Sequence, residues 1–161
     1  QSQKLYNGDE LATTLHAMQD KIDMLTKSAA EKRARIKEVD ELLRMVDYYK
    51  SGKSAADKLK SIRFEKSRQK YKSEHDNELR TFYMAERKLK PHFKDGKLPI
   101  AAWRKERAQL EQDCKGIQTE LSPLYADVKK LWAIHYNIYE VQHEQEHQNA
   151  ATRQKKQEIE H

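Results

Sequence analysis

The segment WRKERAQLEQDCKGIQTELSPLYADVKKLWAIHYNI (103–138) decides the fold. Stepping through it alternately by four and three residues visits Trp103, Arg107, Leu110, Cys114, Ile117, Leu121, Leu124, Val128, Leu131, His135 and Ile138. Nearly every stop is apolar, and the residues between are mostly charged or amide-bearing. That is a heptad seam, the pattern of a helix packed along its length against another helix. A seam needs a partner. The same count from Leu11 gives Leu15, Met18, Ile22, Leu25, Ala29, Lys32, Ile36, Val39, Leu43 and Val46, broken only at Lys32. The chain therefore carries two matching seams, and the spacing predicts an all-α protein.

Composition agrees. Of 161 residues, 37% are hydrophobic and 36% charged, too polar for a thick globular core but suited to long helices with narrow apolar stripes. Four Gly, three Pro and few β-branched runs argue against strands. No apolar run approaches the ~20 residues needed to cross a bilayer, so no membrane partner is expected. The chain starts at Gln1 without a signal-peptide pattern and reads as a piece of a longer protein. Its single cysteine, Cys114, excludes an internal disulfide framework and fits a reducing, cytoplasmic setting.

Punctuation divides the chain. Residues 1–8 read as a linker or frayed entry, 9–141 as a helical bundle, and 142–161 as a polar tail or helical extension. Within the bundle, helices are expected over about 9–51, 54–90 and 98–148. Ser51-Gly52 reads as a stop, because glycine takes the left-handed C′ conformation without penalty. Ser54 and Asp57 read as the two halves of a capping box. Pro91 and the Asp95-Gly96 turn end the second helix, and Leu98-Pro99 opens the third. Gly116 weakens that helix, and Pro123, which lacks a backbone donor and crowds the carbonyl of Thr119, is expected to kink it. Short connections favour three long helices in an antiparallel, coiled-coil-like bundle, with seams one and three facing each other. The rival arrangement pairs helix one with its copy in another chain, a homodimer.

Charge is uneven. Residues 50–107 hold 18 Lys and Arg against 8 Asp and Glu, a local +10, leaving −4 for the rest of a chain whose net charge is +6. The densest run, KLKSIRFEKSRQKYK (58–72), carries Lys58, Lys60, Arg63, Lys66, Arg68, Lys70 and Lys72 against one acid, Glu65. Side chains of this kind contact nucleic-acid phosphates without any base-reading motif, so DNA is the partner this run implies. The competing reading is a solvated face balanced by acids of a neighbouring helix, such as Glu38, Asp40 and Glu41.

Other candidate chemistry is weaker. His143-Glu-Gln-Glu-His147 matches the zinc-protease spacing, but a zincin also needs a third ligand, an edge strand and a cleft. Two histidines leave a metal site half made, and the segment is polar throughout. Ser51-Gly52-Lys53-Ser54 ends like a phosphate-binding loop, yet Asp47 stands where that motif requires glycine, and no strand precedes it. Cys114 and His135 lie on the seam and read as packed side chains. Lys32 and Arg107, the charged seam positions, read as devices that set pairing register. Nothing predicts a catalytic residue or a cofactor.

The segment from Phe64 to Val141, with the stretch leading into it, resembles the C-terminal helical region of relaxases, the mobilisation nucleases of conjugative and mobilisable elements in Gram-positive bacteria. The resemblance rests on Val46-Asp47-Tyr48-Tyr49 followed by the basic stretch, and on Tyr71-Lys72-Ser73-Glu74-His75. It continues with Leu79, Phe82-Tyr83, Ala85 and Leu89, the turn Lys97-Leu98-Pro99, then Trp103, Glu106 and Leu110, and Leu124-Tyr125 with Val128-Lys129. It implies a bacterial, cytoplasmic parent, encoded on a plasmid or transposon, that nicks DNA for conjugation. That parent would use an upstream domain with a tyrosine nucleophile and a histidine-bound metal. Neither matches a position here. The chain would then be a non-catalytic accessory region that contacts DNA, dimerises, or docks relaxosome and coupling proteins. The alternative is a purely structural coiled-coil interaction domain with no nucleic-acid role.

Overall fold

The computed structural model describes residues 8–160. It is all-α among these residues: α1 (Gly8–Ser61), α2 (Glu65–Glu74), α3 (Asp76–Leu89) and α4 (Ile100–Ile159), with one 3-10 turn at Lys90–His92. Of the expected entry segment 1–8, only Gly8 falls within the described residues. The chain divides into two compact units, one formed by 1–29 and 115–161, the other by 30–114. The two long helices contribute to both.

In the first unit, the amino-terminal part of α1 packs on the carboxy-terminal part of α4. Its core is Leu11, Leu15, Ile22 and Ala29 with Ile117, Leu121 and Val128, flanked by Met18, Leu25, Leu124, Leu131 and Ile138. These are the heptad positions of the two seams, each turned inward because only those side chains recur on one helix face. Leu11 is fully buried.

The second unit holds the remaining parts of α1 and α4 together with α2 and α3. Val39, Met45, Val46, Ala85, Leu89 and Trp103 form one core cluster, joined by Phe93 and Leu98 from the connection and by Ile100 at the start of α4. Ala55, Ala56, Leu59, Leu79 and Phe82 form another. Tyr49 touches both clusters, stacked on Phe82 at 5.0 Å and edge-on to Phe93 at 5.8 Å. The connection into α4 is pinned by a tight turn. Lys94 and Lys97 exchange two backbone hydrogen bonds of 2.9 Å, while Asp95 (φ 52°) and Gly96 (φ 74°) both take left-handed conformations. Asp-Gly is the pair that tolerates two positive φ values in succession.

The charged seam positions are paired. Lys32 Nζ donates to Asp113 Oδ2 at 3.5 Å, and Arg107 donates through Nε and Nη2 to the two carboxylate oxygens of Asp40. Beside them Arg35 donates to Glu106 through Nε at 2.6 Å and Nη2 at 3.2 Å, and through Nη1 to Glu38 at 3.1 Å. Two-pronged guanidinium–carboxylate pairs fix relative position as well as adding energy. The Arg35 hydrogen bonds hold the Glu106 carboxyl below its ordinary range, against a smaller opposing effect of burial.

The helix boundaries differ from those expected. α1 does not stop at Ser51-Gly52 but continues to Ser61. Gly52 is buried, and a Cβ there would lie 2.6 Å from Phe82 Cβ and 3.1 Å from the carbonyl oxygen of Glu78. The glycine thus admits the backbone of α3 rather than ending a helix. α1 ends where Ser61 Oγ turns back to donate to the Lys58 carbonyl at 2.7 Å, a local bond that competes with helix continuation. The expected helix over 54–90 is instead the last turns of α1, then α2 and α3, separated at His75, whose φ of −115° and ψ of 25° leave the helical region. Ser54 lies inside α1, so no cap forms there. α4 is one continuous helix from Ile100 to Ile159 with Pro123 inside it, and every residue from 139 to 160 is exposed.

Gly52→Ala should destabilise by about 1–3 kcal/mol in urea unfolding, because overpacking against α3 exceeds the gain in helix propensity. Gly116→Ala, with nothing within 4 Å of its added methyl, should stabilise by about 1 kcal/mol. The Arg35–Glu106 pair also carries a pH signature. A carboxyl whose folded pKa lies below its unfolded value adds stability that is complete above the unfolded pKa and lost as pH falls through the folded one. The stability difference between wild type and Glu106→Gln should therefore be largest near about pH 7 and shrink toward zero below the ordinary carboxylate range of about 4, read by denaturation at several pH values.

Candidate nucleic-acid interface

The seven basic residues are gathered around the corner where α1 gives way to α2. Lys58 and Lys60 occupy the last turn of α1. Arg63 lies in the non-helical link at 62–64, and Lys66, Arg68, Lys70 and Lys72 lie on α2. Phe64, extended at φ −87° and ψ 129°, precedes the first turn of α2 and is 77% exposed.

On α2, Arg68, Tyr71 and the adjoining His75 are the half-buried positions, and no residue of this helix is fully buried. Helical spacing puts those three on one face and Lys66 and Lys70, four apart, on the opposite one. α2 is held chiefly through Tyr71. Its ring packs against the Ala55–Leu59–Phe82 cluster, lies 4.2 Å from the His75 ring, and receives the Lys58 ammonium at 5.5 Å. Lys58 is thereby drawn onto an aromatic face, a contact of about 0.5–1 kcal/mol at an exposed site. Lys60, Arg63, Lys66, Lys70 and Lys72 are exposed, while Arg68 is half-buried.

Among the described residues, none of the seven forms an ion pair. The acids of the competing reading lie 17 or more residues before Lys58, about 25 Å or further back along α1, and are engaged there. Glu38 accepts from Arg35, Asp40 from Arg107, and Glu41 from Arg44 at 3.2 Å and Lys88 at 3.3 Å. Glu65, the acid within the run, accepts from the Gln69 amide at 2.9 Å. Like charges four residues apart, Lys66 with Lys70 and Arg68 with Lys72, repel by a few tenths of a kcal/mol on a ten-residue helix that buries nothing fully. This arrangement is one that a polyanion would relieve. Phe64 is not among the candidates the sequence singles out; its place in the link is what exposes it.

The other candidates assemble no site among the described residues. His143 and His147 are exposed on α4 with ring centroids 4.9 Å apart, next to Tyr139, whose ring lies 6.0 Å from that of His143. Among the described residues no group of three or more His, Cys, Asp and Glu side chains converges to hold a metal ion. Ser51, Gly52, Lys53 and Ser54 lie within the helix of α1 and form no loop. Cys114 is half-buried on the seam, and the Nδ1 atom of the half-buried His135 has no hydrogen-bond partner. No helix among the described residues is long and apolar enough to cross a membrane.

Comparison with models of known protein families, with curated proteins and with solved structures gives no match for this chain.

Because α2 leans on Tyr71, Tyr71→Ala should loosen that helix selectively. Amide hydrogen exchange over 66–74 is expected to accelerate by at least ~5-fold, a loss of roughly 1 kcal/mol of local stability, while exchange in the buried stretch of α3 around Phe82 and Ala85 changes little.

Proposed function

We propose that this chain is a non-catalytic, helical accessory region of a bacterial, cytoplasmic DNA relaxase, and that it contacts DNA through the basic corner formed by the end of α1, the link at 62–64 and α2. The observation that carries the reading is the unpaired state of that corner. Seven cations crowd around it, none of them in an ion pair among the described residues, and Glu38, Asp40 and Glu41 lie about 25 Å or further back along α1. Such a surface favours an anion, and a phosphate backbone supplies many anionic contacts at regular spacing. The order of segments resembling relaxase tails supports the biological setting. In that setting the catalytic tyrosine and its metal belong to another part of the parent protein.

The rest of the chain acts as the scaffold that presents the corner. Its long helices run antiparallel in this reading. Lys32 pairs with Asp113 and Asp40 with Arg107, so the position on α4 falls as that on α1 rises. Pro123 bends α4 where it withdraws one backbone donor from the carbonyl of Thr119.

The test is direct. Reversing Lys66, Arg68 and Lys70 to glutamate should weaken binding to DNA by at least ~10-fold at about 0.1 M salt. It should also flatten the dependence of log affinity on log salt, by roughly one unit for each phosphate that is no longer neutralised. Equal affinity and an equal salt slope in wild type and triple variant would sink the proposal.

A further inference from the structure

A second surface lies far along the sequence from the basic corner. In the first unit the seam of α4 is covered by α1, yet a neighbouring row on the same helix is not. Tyr125 is 52% exposed, Trp132 51%, Tyr136 61% and Tyr139 59%. These residues are spaced seven, four and three apart, so they share one face, turned about 100° from the seam row Leu124, Leu131, Ile138. Four large aromatic side chains in line on a charged helix form an apolar stripe of the kind that marks a binding surface.

We propose that this stripe is a homotypic interface: a second copy of the chain packs its own stripe against it, antiparallel, with the two-fold axis passing between Asn137 and Ile138. The charges on the stripe select both partner and register. Continuing the four-three spacing adds Lys129 within the row, then His143, Glu146 and Ala150 beyond Tyr139. Lys129 and Glu146 are exposed and form no ion pair among the described residues. With the axis at 137/138, Lys129 of each copy meets Glu146 of the other, Tyr136 meets Tyr139, Trp132 meets His143 and Tyr125 meets Ala150. Sliding by one heptad either way sets Lys129 against Arg153 or against Tyr139. A parallel pair sets Lys129 on Lys129 and Glu146 on Glu146, two repulsions in place of two attractions.

The size is adequate. About half of the ~150–250 Å² carried by each aromatic is available, so two copies bury on the order of 1,000 Å² from these side chains alone, the lower bound of a specific interface. Each copy already contributes an α1–α4 pair, so the product is a four-helix arrangement, which buries the narrow stripes that two helices leave wet. An isologous pairing is closed and does not propagate into fibres.

The full chain at about 100 µM should sediment as a dimer. Tyr136→Glu/Tyr139→Glu should raise the dimer dissociation constant at least ~100-fold without loss of helical circular dichroism. Both side chains are exposed, so folding is spared. Register is read by cysteine cross-linking on a Cys114→Ser background. Trp132→Cys alone should not cross-link, because in the antiparallel dimer its two copies lie about 16 Å apart along the helix axes. Trp132→Cys with His143→Cys should cross-link rapidly. A monomer at this concentration, a dimer indifferent to the Tyr136/Tyr139 charges, or efficient cross-linking of Trp132→Cys alone would each overturn the proposal. DNA binding by the basic corner plays no part in these readouts, so the two proposals stand or fall separately.

Discussion

The pairing of Asp40 with Arg107 governs much of what the second unit presents to solvent. Arg107 sits at a seam position of α4 with its side chain still 35% exposed. Asp40 meets it with both carboxylate oxygens. Arg35 does the same for Glu106 from the next turn of α1, and Glu41 reaches Lys88 on α3. Each pair is partly exposed, so solvent screens it and its net contribution to stability is small. Their larger effect is on position: forked guanidinium–carboxylate contacts fix how α1 and α4 align within this unit. They also occupy Glu38, Asp40 and Glu41 of α1. The basic side chains of the α1–α2 corner lie well beyond these pairs and form none of their own among the described residues, so positive charge collects where Lys and Arg are densest in the chain.

That corner is held lightly by comparison. The core clusters beneath it end at Leu59 and Leu79, and α2 adds only the half-buried Tyr71 and Arg68. Short helices are marginal unless an apolar face is buried. A weakly anchored, cationic helix beside an exposed Phe64 can adjust to a polyanion at small cost. The opposite holds around Gly52, where α1 and α3 approach so closely that one methyl group has no room. Close packing is concentrated under the corner, and the charged surface above it is only loosely tied down.

Much of this was legible in the residues. The four-three count picked out side chains that are all buried or half-buried on α1 and α4, including Lys32 and Arg107, whose charged partners explain their tolerance on a seam. The Asp95-Gly96 turn and the entry to α4 near Pro99 were equally plain, because each uses a residue with a special backbone preference. Gly52 was misread for a related reason. A glycine signals backbone freedom or absence of a side chain, and local sequence cannot tell which is being used. Here it is the second, since α3 occupies the space. The break at His75 carried no punctuation of its own: Ser, Glu, His and Asp are compatible with either a continuous helix or a corner.

The sequence alone determined that the chain is helical, which faces of its two long helices turn inward, and where its positive charge is concentrated, because periodicity and composition are local properties. Only the tertiary structure decided which charges stay unpaired, that α1 passes through Gly52 to Ser61, and that Phe64 and the Tyr125–Trp132–Tyr136–Tyr139 row face solvent. Those outcomes depend on which residues meet across long sequence separations. A lysine and its acid, or a glycine and the helix it admits, are identified as partners only when the fold brings them within a few ångströms.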